Sequence, residues 1–394
     1  MLDVADTDRM SDASKRCPCA IQTTAASQDA LRRYAELAGE GALFAPAQSP
    51  AWISAWVRAV SPDSLLVIIE ADGRPVMGLA LEVVRKGPFR IARLMGGRHA
   101  NANFPPLQTG AIIDIHAVVS RIALARPDID LLELDRLVGD RDGIANPLLA
   151  LPHAPSPNLA LAVDLSSGFE ALLRRSGSTR KRKKHRAQAR KLEAAGGFRR
   201  VEAGSPHEVA RLFDAFLDMK ASRFREAGIP NVFAPAEVQH FFTTLFKDSL
   251  SVTPKPFVLH GLEVGGRLRA VTGSSRMDGR ITCEFGAIAD DELAHASPGD
   301  FLFFQNIEEA CAESLSVYDF GVGDEPYKRS WCDMEVRHWD VMVPLGAKGR
   351  LLAIALRLQR RLVEAVKSHP RLWRLAKAVR RGSGGLSGPS RDQE

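Results

Sequence analysis

The stretch RITCEFGAIADDELAHASPGDFLFFQNIEEACAESLSVYDFGVGDEPYKRSW, residues 280–331, decides how the rest of the chain is read. It opens with a strand pattern at Arg280–Ala289 and then presents Ser297-Pro298-Gly299-Asp300, a Ser-Pro helix start. The helix is expected to run to about Ser314, and Val317–Phe320 reads as the next strand. That order sets a helix N-terminus beside a strand end, with unpaired backbone N–H groups and a positive dipole end pointing outward. Such a terminus suits a pyrophosphate, which makes Ser297, Pro298 and Gly299 candidate pyrophosphate contacts; a plain helix start has the same signature. Asp300 in the first turn favours the dipole by itself and would repel a phosphate there. After the second strand, Asp319, Asp324, Glu325, Tyr327 and Lys328 crowd together where an open α/β sheet usually carries its site, although a loop salt-bridge cluster would look alike.

The elements before this stretch occur twice. Ser205-Pro206-His207-Glu208 is a capping box with proline at the first helical position, and its helix runs to Glu226 before Gly228 stops it. A helix at about Ala236–Lys247 follows, then strands at Phe257–Val264, Arg267–Ser275 and Arg280–Ala289, joined by Gly265-Gly266 and Asp278-Gly279 turns. The first half carries helices at Asp29–Ala38 and Pro50–Val60 and strands at Ser64–Glu70, Pro75–Val84 and Phe89–Leu94. A Gly/Asn-rich loop (Gly96–Gly110), a helix at Asp114–Ala125 and a strand at Asp130–Leu137 complete it. Phe44-Ala45-Pro46 and Phe233-Ala234-Pro235 even precede the second helix of each half. The expected fold is α+β: two tandem units, each a central mixed sheet flanked by helices. The expected divisions are a disordered tail at 1–28, a first unit at 29–165, a basic helical connector at 166–200, a second unit with the donor site at 201–346, basic amphipathic helices at 347–381 and a disordered tail at 382–394.

Charge is unevenly spread over the 394 residues. Arg174–Lys191 holds ten Lys/Arg and no acid, and Ala347–Arg381 holds eleven against Glu364 alone, so the net +6 conceals an acidic remainder. A uniformly basic nucleic-acid-binding body is thereby excluded, and no nucleic-acid partner is expected. In the connector, Ser167-Gly168-Phe169-Glu170 reads as a capping box, and Thr179 as the cap of a helix from Arg180 to Ala194 ended by Gly196-Gly197. Its charge is either a solvated face or a phosphate-binding one. In the C-terminal segment, Leu351, Ile354, Leu358, Leu362 and Val366 recur at helical spacing, with Arg350, Arg357, Arg360, Arg361 and Lys367 largely off that face. Pro370 breaks the helix, and Trp373 lies in a second short basic helix. The apolar face suits docking on the second unit or an anionic membrane surface, and one face cannot serve both.

Five scattered cysteines fit no disulfide framework, and Cys17-Pro18-Cys19 lacks a second pair, so no metal is expected. Met1–Ser14, with Asp3, Asp6 and Asp12, has no apolar block for a signal peptide, and no apolar run reaches the ~20 residues of a membrane span. A cytoplasmic protein is expected, with attachment at the inner face of the membrane if the C-terminal helix binds lipid.

The phrase Gly323-Asp324-Glu325-Pro326-Tyr327-Lys328, with Tyr318-Asp319-Phe320 before it and Trp331 behind, resembles the CelD-type acyltransferases of the GNAT superfamily, named for cellulose-biosynthesis loci. The helix at Ser178–Leu192 is similar to that family's inter-domain segment and to the FemABX peptidyltransferases. The resemblance spans about residues 29–345 and implies two GNAT-like units transferring an acyl group from a thioester, usually acetyl-CoA or another acyl-CoA. It also implies a saccharide or small-molecule acceptor and a setting in exopolysaccharide or cellulose biosynthesis. The usual GNAT phosphate signature is replaced here by Ser297-Pro298-Gly299. The loop Gly96–Phe104 of the first unit has no Pro-Gly helix start, which places donor binding in the second unit.

Acyl transfer needs a base for the nucleophile and an acid for the departing thiolate. Glu284 is the base candidate, Asp319 the alternative, and Tyr327 the candidate acid; Asp324 and Lys328 are candidate donor contacts. Cys283 as a covalent nucleophile ranks below a small buried hydrophobe. His99, Asn101 and Asn103 are candidate acceptor contacts, with loop-ordering hydrogen bonds as the other explanation. Two further functions compete: a non-catalytic adaptor of a polysaccharide-synthesis complex, and an aminoacyl-tRNA-dependent ligase, which the lack of aromatics interleaved in the basic helix disfavours.

Overall fold

Residues 19–39 and 41–368 are described by a computed structural model. The first half supplies β1 (Ala20–Thr24), α1 (Gln28–Glu36), α2 (Pro50–Val60), β2 (Ser64–Ala71), β3 (Arg74–Lys86), β4 (Phe89–Leu94), α3 (Ile115–Ala125), β5 (Leu131–Val138) and β6 (His153–Pro155). Next come β7 (Ala160–Asp164), α4 (Phe169–Arg175), α5 (Ser178–Ala194), β8 (Phe198–Glu202), α6 (Pro206–Ala227) and α7 (Ala236–Ser249). The remainder is β9 (Phe257–Val264), β10 (Arg267–Met277), β11 (Arg280–Ile288), α8 (Pro298–Ala312), β12 (Val317–Val322), α9 (Pro326–Arg329), β13 (Met334–Val336), β14 (His338–Pro344) and α10 (Ala347–Ser368).

Two large sheets result, with main paths β1-β2-β3-β4-β5-β14-β6 and β8-β9-β10-β11-β12-β7-β13, beside a small two-stranded one at Asp140–Arg141 and Ile144–Ala145. Each is antiparallel apart from one parallel pair, β4 with β5 and β11 with β12, where a helix crosses over. The mixed α+β architecture and its repeated order agree with the sequence. The divisions at 165 and 346 do not. β7 leaves the first half to sit between β12 and β13, and β14 returns from the second half to sit between β5 and β6. Each unit thus completes the other's sheet. Ala160–Val163 are buried along β7, the pattern of a strand covered on both faces, which periodicity alone cannot place.

The expected N-terminal tail is also shorter than 28 residues. Ala20–Thr24 pairs antiparallel with β2 from Glu70 to Leu66, an edge strand too short and polar to announce itself. Residues 1–18, with Cys17, lie outside the described residues, as do the expected tail at 382–394 and the helix carrying Trp373. Caps mostly follow the sequence. Ser49 accepts from the Trp52 N–H, Ser205 and Glu208 form the reciprocal box, and Gly228 ends α6 in the left-handed conformation. Gly168 and Gly177, rather than Ser167 and Thr179, stand at the starts of α4 and α5.

The units also share one apolar cluster. Trp52 and Trp56 on α2 meet Phe241 on α7, both with ring centroids 4.9 Å away and edge-on. Behind them, Phe213, Phe216 and Phe285 extend the cluster into the second unit. α10 packs on the first unit, not the second: Leu352, Ala353 and Leu356 bury against Ile91, Leu131 and Met342. The expected apolar face is another one. Leu351, Ile354 and Leu358 remain 69%, 54% and 59% exposed, so docking leaves that face open. Among the described residues no helix is long and apolar enough to cross a membrane.

Val341 of β14 is fully buried opposite Leu134. Val341→Asp is expected to cost about 3 kcal/mol or more in denaturant unfolding and to strip hydrogen-exchange protection from β5 in the other half of the sequence. A loss below about 1 kcal/mol would mean that β14 is dispensable to the first sheet.

Candidate active site between the units

β11 and β12 pair over three positions only, Arg280↔Val317, Ile281↔Tyr318 and Thr282↔Asp319. Beyond these the strands part, for two local reasons. In β11 the ladder to β10 steps from Cys283↔Ser274 to Phe285↔Gly273, leaving Glu284 as the extra residue of a bulge that bends the strand. In β12, Gly321 takes φ +69°, and a Cβ there would lie 3.0 Å from the Cys283 carbonyl oxygen and 3.1 Å from Asn101. A side chain at 321 would close the opening.

Asn101, on the first unit's Gly/Asn-rich loop, reaches into this opening. Its Nδ2 donates to the Glu284 carbonyl oxygen at 2.8 Å and to the carboxylate Oε2 at 2.9 Å, while the Ser275 hydroxyl donates to Oε1 at 2.7 Å. Burial pushes the Glu284 carboxyl up to about 7; the Ser275 and Asn101 hydrogen bonds pull it down, and Asp319 adds to the rise. A carboxyl poised near neutrality can take a proton at working pH. Asp319, the alternative base, is committed elsewhere: Oδ1 accepts the Gly321 N–H at 2.8 Å and Oδ2 accepts from Arg280 at 3.2 Å. It holds the kink in β12.

Tyr327 lies on α9 with its ring stacked on Phe303 at 5.6 Å, and it is 42% exposed. Burial of part of the ring raises its phenol well above the ordinary value, so it keeps its proton at neutral pH. Lys328 and Asp324 depart from their expected roles as donor contacts. The Lys328 ammonium is turned inward, donating to the Val322 carbonyl at 2.9 Å and pairing with Glu325 at 2.9 Å. Exposed Asp324 pairs with Arg329. Both brace the turn after β12. Cys283 is buried with its thiol pushed up to about 12 by desolvation, the state of an inert hydrophobe.

At the start of α8, Ser297 has φ +52° and its hydroxyl caps nothing, and Pro298 occupies the first turn. Gly299 faces the end of β11, where a Cβ would come within 2.6 Å of Ile288 Cγ2, so a side chain there would displace the exposed Ile288 side chain. Asp300 is answered by α5: Lys184 pairs with it at 3.1 Å and Gln188 donates to it at 3.2 Å. The carboxylate that would repel an anion is thus compensated.

The first unit's loop divides its three polar candidates. Asn101 reaches Glu284. The His99 ring packs on Phe233 and Phe242 at 5.2 and 5.5 Å, and burial lowers its imidazole to about 4, with Arg93, Arg136 and Arg98 adding to the effect. It is a neutral ring in the shared aromatic cluster rather than an acceptor contact. Asn103 is buried with both amide ends used, accepting from Gln48 and donating to the Asp135 carbonyl. Its main chain bridges Leu137, its N–H donating to Arg136 and its carbonyl accepting from Val138. β4 and β5 also part after three pairs, and Asn103 fills the gap they leave.

Sequence reading missed Ser275, a strand residue with no mark of its role, and Lys220 on α6, whose ammonium is lowered by burial beside Arg223. Among the described residues one group has metal-like spacing, Glu202, His260 and Glu309, within 4.8 Å of one another. Lys255, Arg200 and Arg276 already meet its carboxylates, which makes it an ion network pinning β8, β9, β10 and α8 together.

Residues 179–329, from α5 to α9, match the family model of the acetyltransferase (GNAT) domain. A comparison with curated protein sequences gives no match. Among solved structures the chain is similar to FemX (TM-score 0.53, 10% identity, covering 82% of this chain and 97% of that one). It is also similar to the C-terminal domain of a protein assigned as a lysylphosphatidylglycerol synthetase from Agrobacterium fabrum (TM-score 0.51, 12% identity, 83% and 94%). A Bacteroides thetaiotaomicron protein of unknown function has TM-score 0.51 at 10% identity over 82% and 99%. At these identities the structures establish a shared fold across both units. The domain match supports an acyltransferase.

The raised Glu284 value has a stability consequence. The folded state holds this proton more tightly than the unfolded chain, so stability present below about pH 4 is lost as pH rises toward 7. Relative to Glu284→Gln, which never ionises, the wild type is expected to lose about 1–3 kcal/mol between pH 5 and 8 in urea titrations. A wild-type-to-variant difference independent of pH would return Glu284 to an ordinary carboxylate.

Proposed function

We propose that the chain transfers an acyl group from an acyl-CoA thioester to an amine or hydroxyl acceptor, in the opening between β11 and β12. The observation that carries this reading is Glu284: a bulged, half-buried carboxyl raised toward neutrality and positioned from two sides by Ser275 and by Asn101 of the other unit. The GNAT-domain match supports the thioester donor. The acceptor atom attacks the thioester carbonyl carbon as Glu284 takes its proton. The tetrahedral intermediate then collapses, the C–S bond breaks with its electron pair going to sulfur, and the Tyr327 phenol supplies the thiol proton. Tyr327 regains its proton, and Glu284 releases one, through water. The resemblance of the Gly323–Lys328 phrase to cellulose-biosynthesis acyltransferases supports a saccharide amine or hydroxyl as acceptor.

The test is thiol release from acetyl-CoA and longer acyl-CoAs with amino-sugar and polysaccharide acceptors, alongside thermal stabilisation by CoA. CoA is expected to raise the melting temperature and turnover to rise with pH, half-maximal near 7. Glu284→Gln is expected to lower kcat by about 100-fold or more. Stabilisation by an aminoacyl-tRNA and not by CoA would replace the donor. No stabilisation and no turnover with either would leave the adaptor.

A further inference from the structure

α5 lies along α8, and together with the residues after α9 they enclose a cleft of about 140 Å³ lined by Arg180, Lys181, Lys184, His185, Asp300 and Trp331, among others. Asp300 is the one acid on its wall, and Lys184 and Gln188 already satisfy it. Arg180 and Lys181 have no carboxylate partner among the described residues. The Lys181 ammonium stands 3.7 Å over the Trp331 ring, a cation–π contact. Burial lowers this ammonium to about 8, against an opposing pull from Asp300 and with Lys184 and Arg180 adding to the fall.

Trp331 supplies an independent observation. The residue is 4% exposed, and its indole N–H has no hydrogen-bond acceptor. A buried donor left unmet is costly, and the residue that carries it lines the cleft. The other wall is aromatic: His185 stacks on Phe304 at 3.7 Å. Two cations without a salt-bridge partner, an orphaned N–H and flat apolar walls suit a phosphate monoester on a planar or ring-bearing stem, since such a phosphate carries close to two negative charges at neutral pH.

We propose that this cleft holds the phosphate monoester of the donor, which in CoA is the ribose 3′-phosphate. The assignment rests on the acyl-CoA reading. Asp300 is in the first turn of α8 and Phe304 one turn later, so the cleft continues along α8 from the helix start proposed for the pyrophosphate. The cations come from α5, which lies between β7 and β8 of the second sheet, so this helix determines which donors carrying the same thioester are accepted.

Calorimetry of the full chain with CoA, 3′-dephospho-CoA and inorganic phosphate separates the possibilities. CoA is expected to bind at least tenfold more tightly than 3′-dephospho-CoA, with inorganic phosphate competing weakly. The double variant Arg180→Gln/Lys181→Gln is expected to remove that preference and leave the dephospho-CoA affinity unchanged. Trp331→Phe, which keeps the ring and deletes the donor, should reduce it. Equal affinities for the two nucleotides in the wild type would overturn the cleft assignment while the donor reading stands. Binding of neither overturns both.

A separate observation concerns α10. Its docked face is Leu352, Ala353 and Leu356, whereas Leu351, Ile354 and Leu358 form a second, open apolar stripe with Arg350 and Arg357 on the same helix and no carboxylate partner for either among the described residues. Eleven Lys/Arg against one acid over residues 347–381 make anionic lipid the complementary occupant. We infer that this stripe rests on an anionic membrane surface while the opposite face stays docked. The full chain is expected to sediment with phosphatidylglycerol-containing vesicles and not with neutral ones. Ile354→Asp/Leu358→Asp should abolish sedimentation at an unchanged melting temperature, because neither residue is packed. Absence of wild-type sedimentation on anionic vesicles, or sedimentation that survives the double variant, would overturn it.

Discussion

The reciprocal exchange of β7 and β14 is the constraint on which the rest of the molecule depends. A strand inserted between two others forms ladders on both edges, so neither sheet reaches its full order without a segment from the other half. The exchange fixes how the units face each other, and the Trp52–Phe241 cluster fills the space that this orientation creates. With the units so held, a loop from one can place a single amide within 2.9 Å of a carboxylate on the other. Had the units been joined only by a flexible connector, the Asn101–Glu284 contact would compete with rigid-body motion between domains.

Charge follows the same logic at the other end of the second unit. An acid in the first turn of α8 stabilises the helix but opposes any anion there. Lys184 and Gln188 of α5 remove that opposition, and Arg180 and Lys181 remain unspent. The basic run is therefore neither a uniformly solvated face nor a broad polyelectrolyte surface. Successive turns of one helix have different duties, set by what α8 presents to each.

Helices and hairpins were legible because their signals are local: Ser-Pro starts, a capping box, Gly-Gly and Asp-Gly turns, and a pattern used twice. Strand partners were not. Ala160–Asp164 and His338–Pro344 are short and buried, and nothing within them says which sheet they enter. Within the site, Glu284 and Asn101 could be named as polar residues in suggestive places, but their meeting depends on the exchange, which is a long-range event. Lys328 and Asp319 illustrate the converse. Residue type suggested reactivity, whereas Val322, Glu325, Arg280 and the Gly321 amide had already claimed their polar atoms.

Asn103 occupies the first unit's opening with two main-chain hydrogen bonds to β5, at Arg136 and Val138. Every residue type except proline offers the same N–H and carbonyl, so exchanging the Asn103 side chain would leave the backbone bridge in place. Restoring the gap would require a loop of different length or path. If the two halves descend from one ancestor, their divergence here behaves like a ratchet: the first half is free to drift in side chains and specialise as a support, while a return to a second reaction centre lies beyond any single codon change.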